Sequence, residues 1–237
     1  METNNPSAHA SVLIVGASRG LGLAIAAEYA ERGAHVIATA RDEAPPALIA
    51  LRQSHPDRVE VEHVDIDDPE QIDALSARLG DRTLDLLFVV AGVSLAPVDQ
   101  PAADIATEAF VRTMTTNALS VMRTVERLAD RVAEKATIAV MSSGQGSVAN
   151  NTSGGFEVYR ASKAALNQLM RSYAARHTEQ QRALLLLAPG WVRTDMGGDA
   201  AGLEIDEAIP PLVDTVEAQR GTPGLRYLDR HGATVPW

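Results

Sequence analysis

The chain contains no cysteine, which excludes disulfides, thiolate nucleophiles and cysteine-ligated metals. Its six histidines are scattered, with no two at helical or zinc-site spacing, so no metal is expected. Long apolar runs are also missing: the longest, residues 84–91, is far too short to cross a bilayer. The opening run Met1-Glu2-Thr3-Asn4-Asn5-Pro6 lacks the basic-then-apolar pattern of a leader. Positive charge is scarce, with 21 basic against 31 acidic side chains and a net charge of -10. That disfavours nucleic acid and anionic membranes as partners. It leaves room for an anionic small molecule held by a local cluster of donors. A cytoplasmic location is the expectation these absences support.

What is present is a globular composition, 46% hydrophobic and 22% charged, over 237 residues. That length suits one large α/β domain and is too short for two ordinary enzyme domains. Apolar β-type runs at residues 11–15, 35–39, 59–64, 84–90, 137–141, 183–188 and 225–228 alternate with helical patterns. The helical patterns include 21–32, which stops before Gly33, and two long segments at about 105–130 and 157–177. Asp68-Pro69-Glu70-Gln71 reads as a helix start, with a capping acid and a proline at the first helical position. Alternation of this kind predicts an α/β fold: a single doubly wound Rossmann-type domain whose parallel sheet has about seven strands and helices on both faces. The domain spans 1–237, with 10–100 mainly the cofactor half and 101–237 the catalytic and substrate half.

Gly16-Ala17-Ser18-Arg19-Gly20-Leu21-Gly22 lies between the first strand and the first helix, where a phosphate-binding turn belongs. Glycines let the backbone approach a pyrophosphate, whose charge the helix N-terminus favours. The Gly-x-x-x-Gly-x-Gly spacing resembles the short-chain dehydrogenase/reductase family. In an NAD site a carboxylate stands near the end of the second strand. Here that strand ends Ala38-Thr39-Ala40-Arg41, and Asp42 lies beyond the arginine. Arg41 and Arg19 offer a two-sided clamp for a 2′-phosphate, which makes NADP(H) the preferred cofactor and NAD(H) the alternative. Asp65 matches the family position that contacts adenine, with Ile66 beside it.

Tyr159-Arg160-Ala161-Ser162-Lys163 places a tyrosine and a lysine one turn apart on a helix face. Free tyrosine titrates near pH ~10, and a neighbouring ammonium is expected to lower that value toward the working range. Alone the spacing is common on ordinary helices; after the glycine turn it matches the family dyad. The resemblance extends to Ser143, in Ser142-Ser143-Gly144, as the serine that hydrogen-bonds the substrate oxygen. It extends also to Asn117, whose family role is to hold a water linking the lysine to solvent. In Ala188-Pro189-Gly190-Trp191-Val192-Arg193-Thr194-Asp195-Met196 the resemblance makes Pro189 and Gly190 the wall behind the nicotinamide. Val192 would meet the carboxamide through its backbone and Thr194 through its hydroxyl, while Tyr159 and Lys163 would also hold the nicotinamide ribose.

One segment departs from the family. Val89-Val90-Ala91-Gly92 stands where Asn-Asn-Ala-Gly is common. Ala91 and Gly92 still admit the adenosine ribose, and the lost asparagine puts local rigidity in question. Within the family the chain is similar to the sniffer-type carbonyl reductases and the C-factor-like proteins. The residues that carry this are Ser142 to Ser147, Asn151-Thr152-Ser153-Gly154-Gly155, the run to Gly198, and Val235-Pro236-Trp237. The resemblance implies NADP(H)-dependent reduction of a ketone or aldehyde, with Tyr159 as general acid. A cofactor-binding signalling protein with little turnover and an NAD-dependent alcohol dehydrogenase are the alternatives. Phe156, Trp191, Val93 and Leu95 could line an apolar substrate pocket, and residues 197–207 a mobile lid. A homodimer or homotetramer is expected, with apolar material from Met114, Leu119, Val121, Met122, Leu166, Leu169 and Met170.

Overall fold

Seven runs that read as strands form one parallel sheet in the computed structural model, which describes residues 9–237. The N-terminal run discussed above lies outside the described residues. The strands are β1 (Ser11–Val15), β2 (His35–Ala40), β3 (Val59–His63), β4 (Leu84–Val89), β5 (Val132–Met141), β6 (Ala183–Ala188) and β7 (Gly224–Asp229). Their order is β3-β2-β1-β4-β5-β6-β7. Every neighbouring pair is parallel. Alternate side chains of one strand serve opposite cores, as pleating requires: Leu13 and Val15 face one, Val12 and Ile14 the other. The central strands β4 and β6 are buried along almost their whole length, which explains their near-continuous apolar sequence.

The helices are α1 (Gly20–Glu31), α2 (Pro46–Ser54), α3 (Pro69–Leu79), α4 (Thr107–Met114), α5 (Val121–Leu128), α6 (Glu157–Arg176) and α7 (Ile205–Ala218). One face of the sheet carries α3, α5 and α6, through residues such as Ile72, Val125 and Leu166. The other carries α1, α2 and α7, through Ile25, Leu48 and Leu212. Asp68 caps α3 as read, its carboxylate accepting from Glu70 N at 3.0 Å.

Three differences from the sequence reading have physical causes. The expected 105–130 helix is broken in its middle by a π-helical segment, Thr115–Ser120, between α4 and α5. Strand β5 begins at Val132, five residues before the expected start, and its register against β4 shifts between Leu84 and Leu86. Helices α2 and α7 were not anticipated. Prolines obscure both: Pro45-Pro46 open α2, and Pro210-Pro211 lie inside α7. The start of α7 is fixed by a reciprocal capping box between Glu204 and Glu207.

Candidate active site

The strand order reverses between β1 and β4, and the crevice at the carboxyl ends of those strands is where doubly wound sheets bind ligands. The turn after β1 closes tightly there. Gly16 has φ +93°, and a Cβ on it would fall 2.8 Å from the Ala91 backbone. A Cβ on Gly22 would sit 2.0 Å from the Gly16 carbonyl oxygen, so the turn cannot close with any side chain at position 22. Thr39 anchors the turn: Gly16 N donates to its Oγ1 at 3.1 Å and Ala17 N to its carbonyl at 2.7 Å.

This turn fits a phosphate. Helix α1 has no side-chain cap and no acid in its first turn, so its free N–H groups and dipole are turned toward any anion at that end. Ser18 and Leu21 complete the turn, and Gly20 faces Thr194, whose methyl lies 3.7 Å from a Cβ built on it. Arg19 and Arg41 are both exposed and each has an acidic partner: Arg19 Nη1 meets Asp195 at 2.8 Å, and Arg41 Nε meets Asp42 at 3.1 Å. The Asp42 carboxylate raises the already basic Arg41, with Asp65 and Asp67 adding at longer range. Asp65 closes a local turn by accepting from Asp67 N at 3.0 Å, and Ile66 is buried behind it.

The Val89-Val90 segment is held without the family's asparagines. Val90 N and Ala91 N both donate to the Val15 carbonyl, at 2.9 and 3.0 Å, and Val90 packs against the core on the α1 and α7 side. Gly92 has a further role. A Cβ there would come 3.2 Å from Asn117 Oδ1 and 3.5 Å from Lys163 Nζ, so glycine lets these two side chains stand side by side against the backbone.

Asn117, fully buried, lies in the π-helical segment; such bulges re-aim side chains and recur at functional sites. Its Oδ1 accepts from Val93 N at 2.7 Å, and its Nδ2 donates to Val93 O at 2.8 Å and to Ser162 Oγ at 3.0 Å. Ser162 Oγ in turn donates to the Tyr159 carbonyl at 2.8 Å. Asn117 therefore couples the segment after β4 to the first two turns of α6, which carry Tyr159 and Lys163.

Helix α6 begins after Phe156, whose backbone is left-handed at φ 51° and ψ 31°, a strained conformation for a bulky residue. Phe156 N donates to Val98 O at 2.8 Å, and Arg160 grips the preceding loop through the Gly155 and Gly154 carbonyls. The Ser143 side chain hydrogen-bonds the Tyr159 hydroxyl. Lys163 is buried, its Nζ donating to the Met141 carbonyl at 2.9 Å and standing 5.7 Å from the Tyr159 ring centre. Burial holds the lysine down to about 8.

The expected lowering of the tyrosine is overturned. Burial pushes Tyr159 up to about 12, opposed by the Ser143 hydrogen bond. The cause is desolvation of the phenolate itself, which in the resting site outweighs the help of a lysine turned toward the Met141 carbonyl.

The loop after β6 brings its residues to the same crevice. Pro189 and Val192 are buried, and Gly190 has φ +96° with Leu203 and Arg230 packed where a Cβ would stand. Thr194 Oγ1 accepts from Gly197 N at 3.0 Å. The segment read as a lid is tied down at its far end, where Arg193 N donates to Leu203 O at 2.8 Å and Glu204 to Glu207 already belong to the α7 start. Trp191 and Leu95 are exposed, while Phe156 and Val93 are half-buried.

Sequence reasoning missed a second polar layer beneath Ser143. Ser142 Oγ donates to Asn167 Oδ1 at 2.6 Å, Asn167 Nδ2 donates to Gly146 O at 3.3 Å, and the Tyr227 hydroxyl donates to the Ser143 carbonyl. A signal was available: Tyr159, Lys163 and Asn167 recur every four residues along α6, and Lys163 and Asn167 are buried there among Val158, Leu166 and Met170. Among the described residues no group of three or more His, Asp or Glu side chains could hold a metal, and no helix is long and apolar enough to cross a membrane.

A family model described as short chain dehydrogenase matches residues 10–202. A Burkholderia multivorans structure described as a short-chain dehydrogenase/reductase with bound NADP is 53% identical, covering 97% of this chain and 100% of that one at a TM-score of 0.95. A carbonyl reductase from Pseudomonas aeruginosa PAO1 in complex with NADP is 39% identical, with 97% and 100% covered and a TM-score of 0.89. The carbonyl reductase Sniffer of D. melanogaster is 27% identical over 97% of this chain and 100% of its own, at a TM-score of 0.85. C-signal of Myxococcus xanthus is 36% identical over 161 residues, 65% of this chain and 93% of that protein. With its glycine turn, its seven-stranded sheet and a family match over residues 10–202, this chain belongs to the short chain dehydrogenase family, near the branch of Sniffer and C-signal.

Proposed function

We propose that this protein is an NADP(H)-dependent carbonyl reductase in which Ser143 and Tyr159 receive the oxygen of a ketone or aldehyde. The observation that carries the reading is the pairing of those two hydroxyls over a buried lysine and asparagine at the sheet's switch point. Residues 10–100 would serve mainly the cofactor and 101–237 the substrate. The Gly16–Gly22 turn and the bare N-terminus of α1 would take the pyrophosphate, and Arg19 and Arg41 the 2′-phosphate, in exchange for their present carboxylate partners. Asp65, Ile66, Ala91 and Gly92 would border the adenosine. Pro189, Gly190, Val192 and Thr194, with Tyr159 and Lys163, would border the nicotinamide riboside. NADPH, when bound, supplies the hydride. The NADP in the two solved relatives supports this choice of cofactor.

The residues divide the remaining work. Ser143 donates a hydrogen bond to the substrate oxygen and fixes it beside Tyr159. A phenol near pKa 12 is fully protonated at neutral pH, which is the form a reductase needs in its general acid. As the carbonyl oxygen becomes an alkoxide, it takes the Tyr159 proton. Ser143 and the Lys163 ammonium stabilise the phenolate left behind. Lys163, near pKa 8, is charged at neutral pH and can return a proton, with Asn117 holding the neighbouring segment in register. Exposed Leu95, Trp191 and Met196 favour an apolar carbonyl.

The absence of cysteine and the acidic balance support a cytoplasmic setting, and the exposed apolar residues of α4 and α6 support self-association. A second reading, a cofactor-binding signalling protein with little turnover, draws on the likeness to C-signal. A panel of aliphatic and aromatic aldehydes and ketones, followed by NADPH absorbance with a parallel NADH series, separates the readings. NADPH-preferring turnover is expected. Tight NADPH binding with no turnover favours the signalling role, and equal use of NADH removes the cofactor assignment.

A further inference from the structure

The short C-terminal run Val235-Pro236-Trp237 has no place in the chemistry above, yet it is tied to the loop that carries Ser143. After β7 the chain reverses in a turn closed by Asp229, whose Oδ1 accepts from His231 N and Ala233 N, both at 2.9 Å. The returning segment lies back along β7, with Val235 N donating to Tyr227 O at 2.9 Å and Val235 itself buried. The Trp237 ring stands 5.5 Å from the Tyr227 ring, and the Arg171 guanidinium stands 4.7 Å over the Trp237 ring. Trp237 O then accepts from Ala149 N at 3.0 Å. The far end of the serine loop is thus strapped to the C-terminal segment.

Its near end is held by Tyr227. That residue is 1% exposed, and its hydroxyl donates to the Ser143 carbonyl while Asn167 and Ser142 lie within hydrogen-bonding reach of it. Burial raises the phenol, so it remains a donor across the neutral range. The loop between the two anchors turns through Gly144–Gly146, where Gly146 N donates to Ser143 O at 2.8 Å and Gln145 N to Ser143 Oγ at 3.2 Å. The Ser143 peptide is therefore pinned from behind, and its side chain faces Tyr159.

We propose that Tyr227 is a positioning residue: steadied by the Trp237 strap, its hydroxyl fixes the Ser143 peptide and so aims the Ser143 side chain at the substrate oxygen. The inference rests on the reading of Ser143 and Tyr159 given above. It explains why a tyrosine occupies a β7 site that an aliphatic side chain would otherwise fill, since a buried phenol is kept only where its hydroxyl has partners.

Tyr227→Phe keeps the ring against Trp237 and removes only the donor. Amide hydrogen exchange of the cofactor-free protein should quicken over residues 143–149 while α6 stays as protected as before. In NADPH-coupled reduction of the best carbonyl of the panel, kcat should fall about tenfold, the size of one lost buried hydrogen bond. NADPH Kd should not change. Added to Ser143→Ala, Tyr227→Phe should cost nothing more, because both act through one group. Trp237→Ala, altering a residue 39% exposed, is the second variant, and should quicken exchange over the same residues. A fully active Tyr227→Phe with an unaltered exchange pattern overturns the proposal. So does a loss that multiplies with that of Ser143→Ala. Full activity in Ser143→Ala instead overturns the functional reading on which it stands, whereas loss in Ser143→Ala beside an unaltered Tyr227→Phe overturns this inference alone.

Discussion

Lys163 is the residue whose environment departs furthest from what its sequence neighbourhood suggests. The Tyr159-Lys163 spacing was readable, and so was the company of Ser143 and Asn117. The electrostatics were not, because a pKa depends on burial and on where a side chain points rather than on spacing. In the folded protein the lysine is buried against the Met141 carbonyl and sits near pKa 8, below its ordinary 10.5. That difference corresponds to about 3 kcal/mol of folding stability lost to keeping the site charged at neutral pH. Lys163→Met should therefore stabilise the cofactor-free protein at pH 6–7 by about 2 kcal/mol, after about 1 kcal/mol for the forfeited hydrogen bond. The sign with pH follows from proton counting. Between pH 8 and 10.5 the unfolded wild-type chain binds the lysine proton and the folded one does not, so wild-type stability rises with pH. Denaturant unfolding should show the advantage of Lys163→Met shrinking over that interval, and a constant gap would contradict the burial argument.

Elements were legible where their pattern was uninterrupted. The six strands other than β5 lie within a residue or so of their sequence boundaries, because short apolar or alternating runs bounded by turn residues or charge admit little else. Helix α7 escaped notice because two prolines sit where helical N–H groups should be. The helix is instead held across the α1 interface, where Arg32 reaches the Pro210 carbonyl at 3.4 Å and Asp214 at 2.7 Å. The π-helical segment was equally hidden, since one extra residue per turn leaves no compositional mark. Apolar residues on these helices looked interchangeable in sequence but are not. Val121, Met122, Leu166 and Met170 are buried in the core, whereas Leu119 and Leu169 are exposed together with Phe110 and Val111. Only the exposed set can serve an interface. If α4 and α6 meet a second copy, Leu169→Glu should lower the mass seen by sedimentation while leaving the Tm nearly unchanged. An unaltered mass would exclude that face from the assembly.

For the whole molecule, the doubly wound sheet was the most predictable feature. Alternating strands and helices with right-handed crossovers leave few other arrangements, and the order observed places the glycine turn, the 89–92 segment and the serine loop along one edge. What sequence could not supply was long-range closure: the Tyr227 hydroxyl under Ser143, and the C-terminal run strapped to Ala149, join residues 84 and 88 positions apart. The proposed function turns on delivery of a proton by Tyr159 in an NADPH-driven carbonyl reduction. Its most direct test is Tyr159→Phe, measured for NADPH affinity and for carbonyl-dependent NADPH oxidation in the same preparation. NADPH should still bind, because the ring and the rest of the cofactor site remain, while kcat falls by about 10²–10⁴, the usual contribution of a general acid; reduction of the carbonyl at the wild-type rate would overturn the assignment.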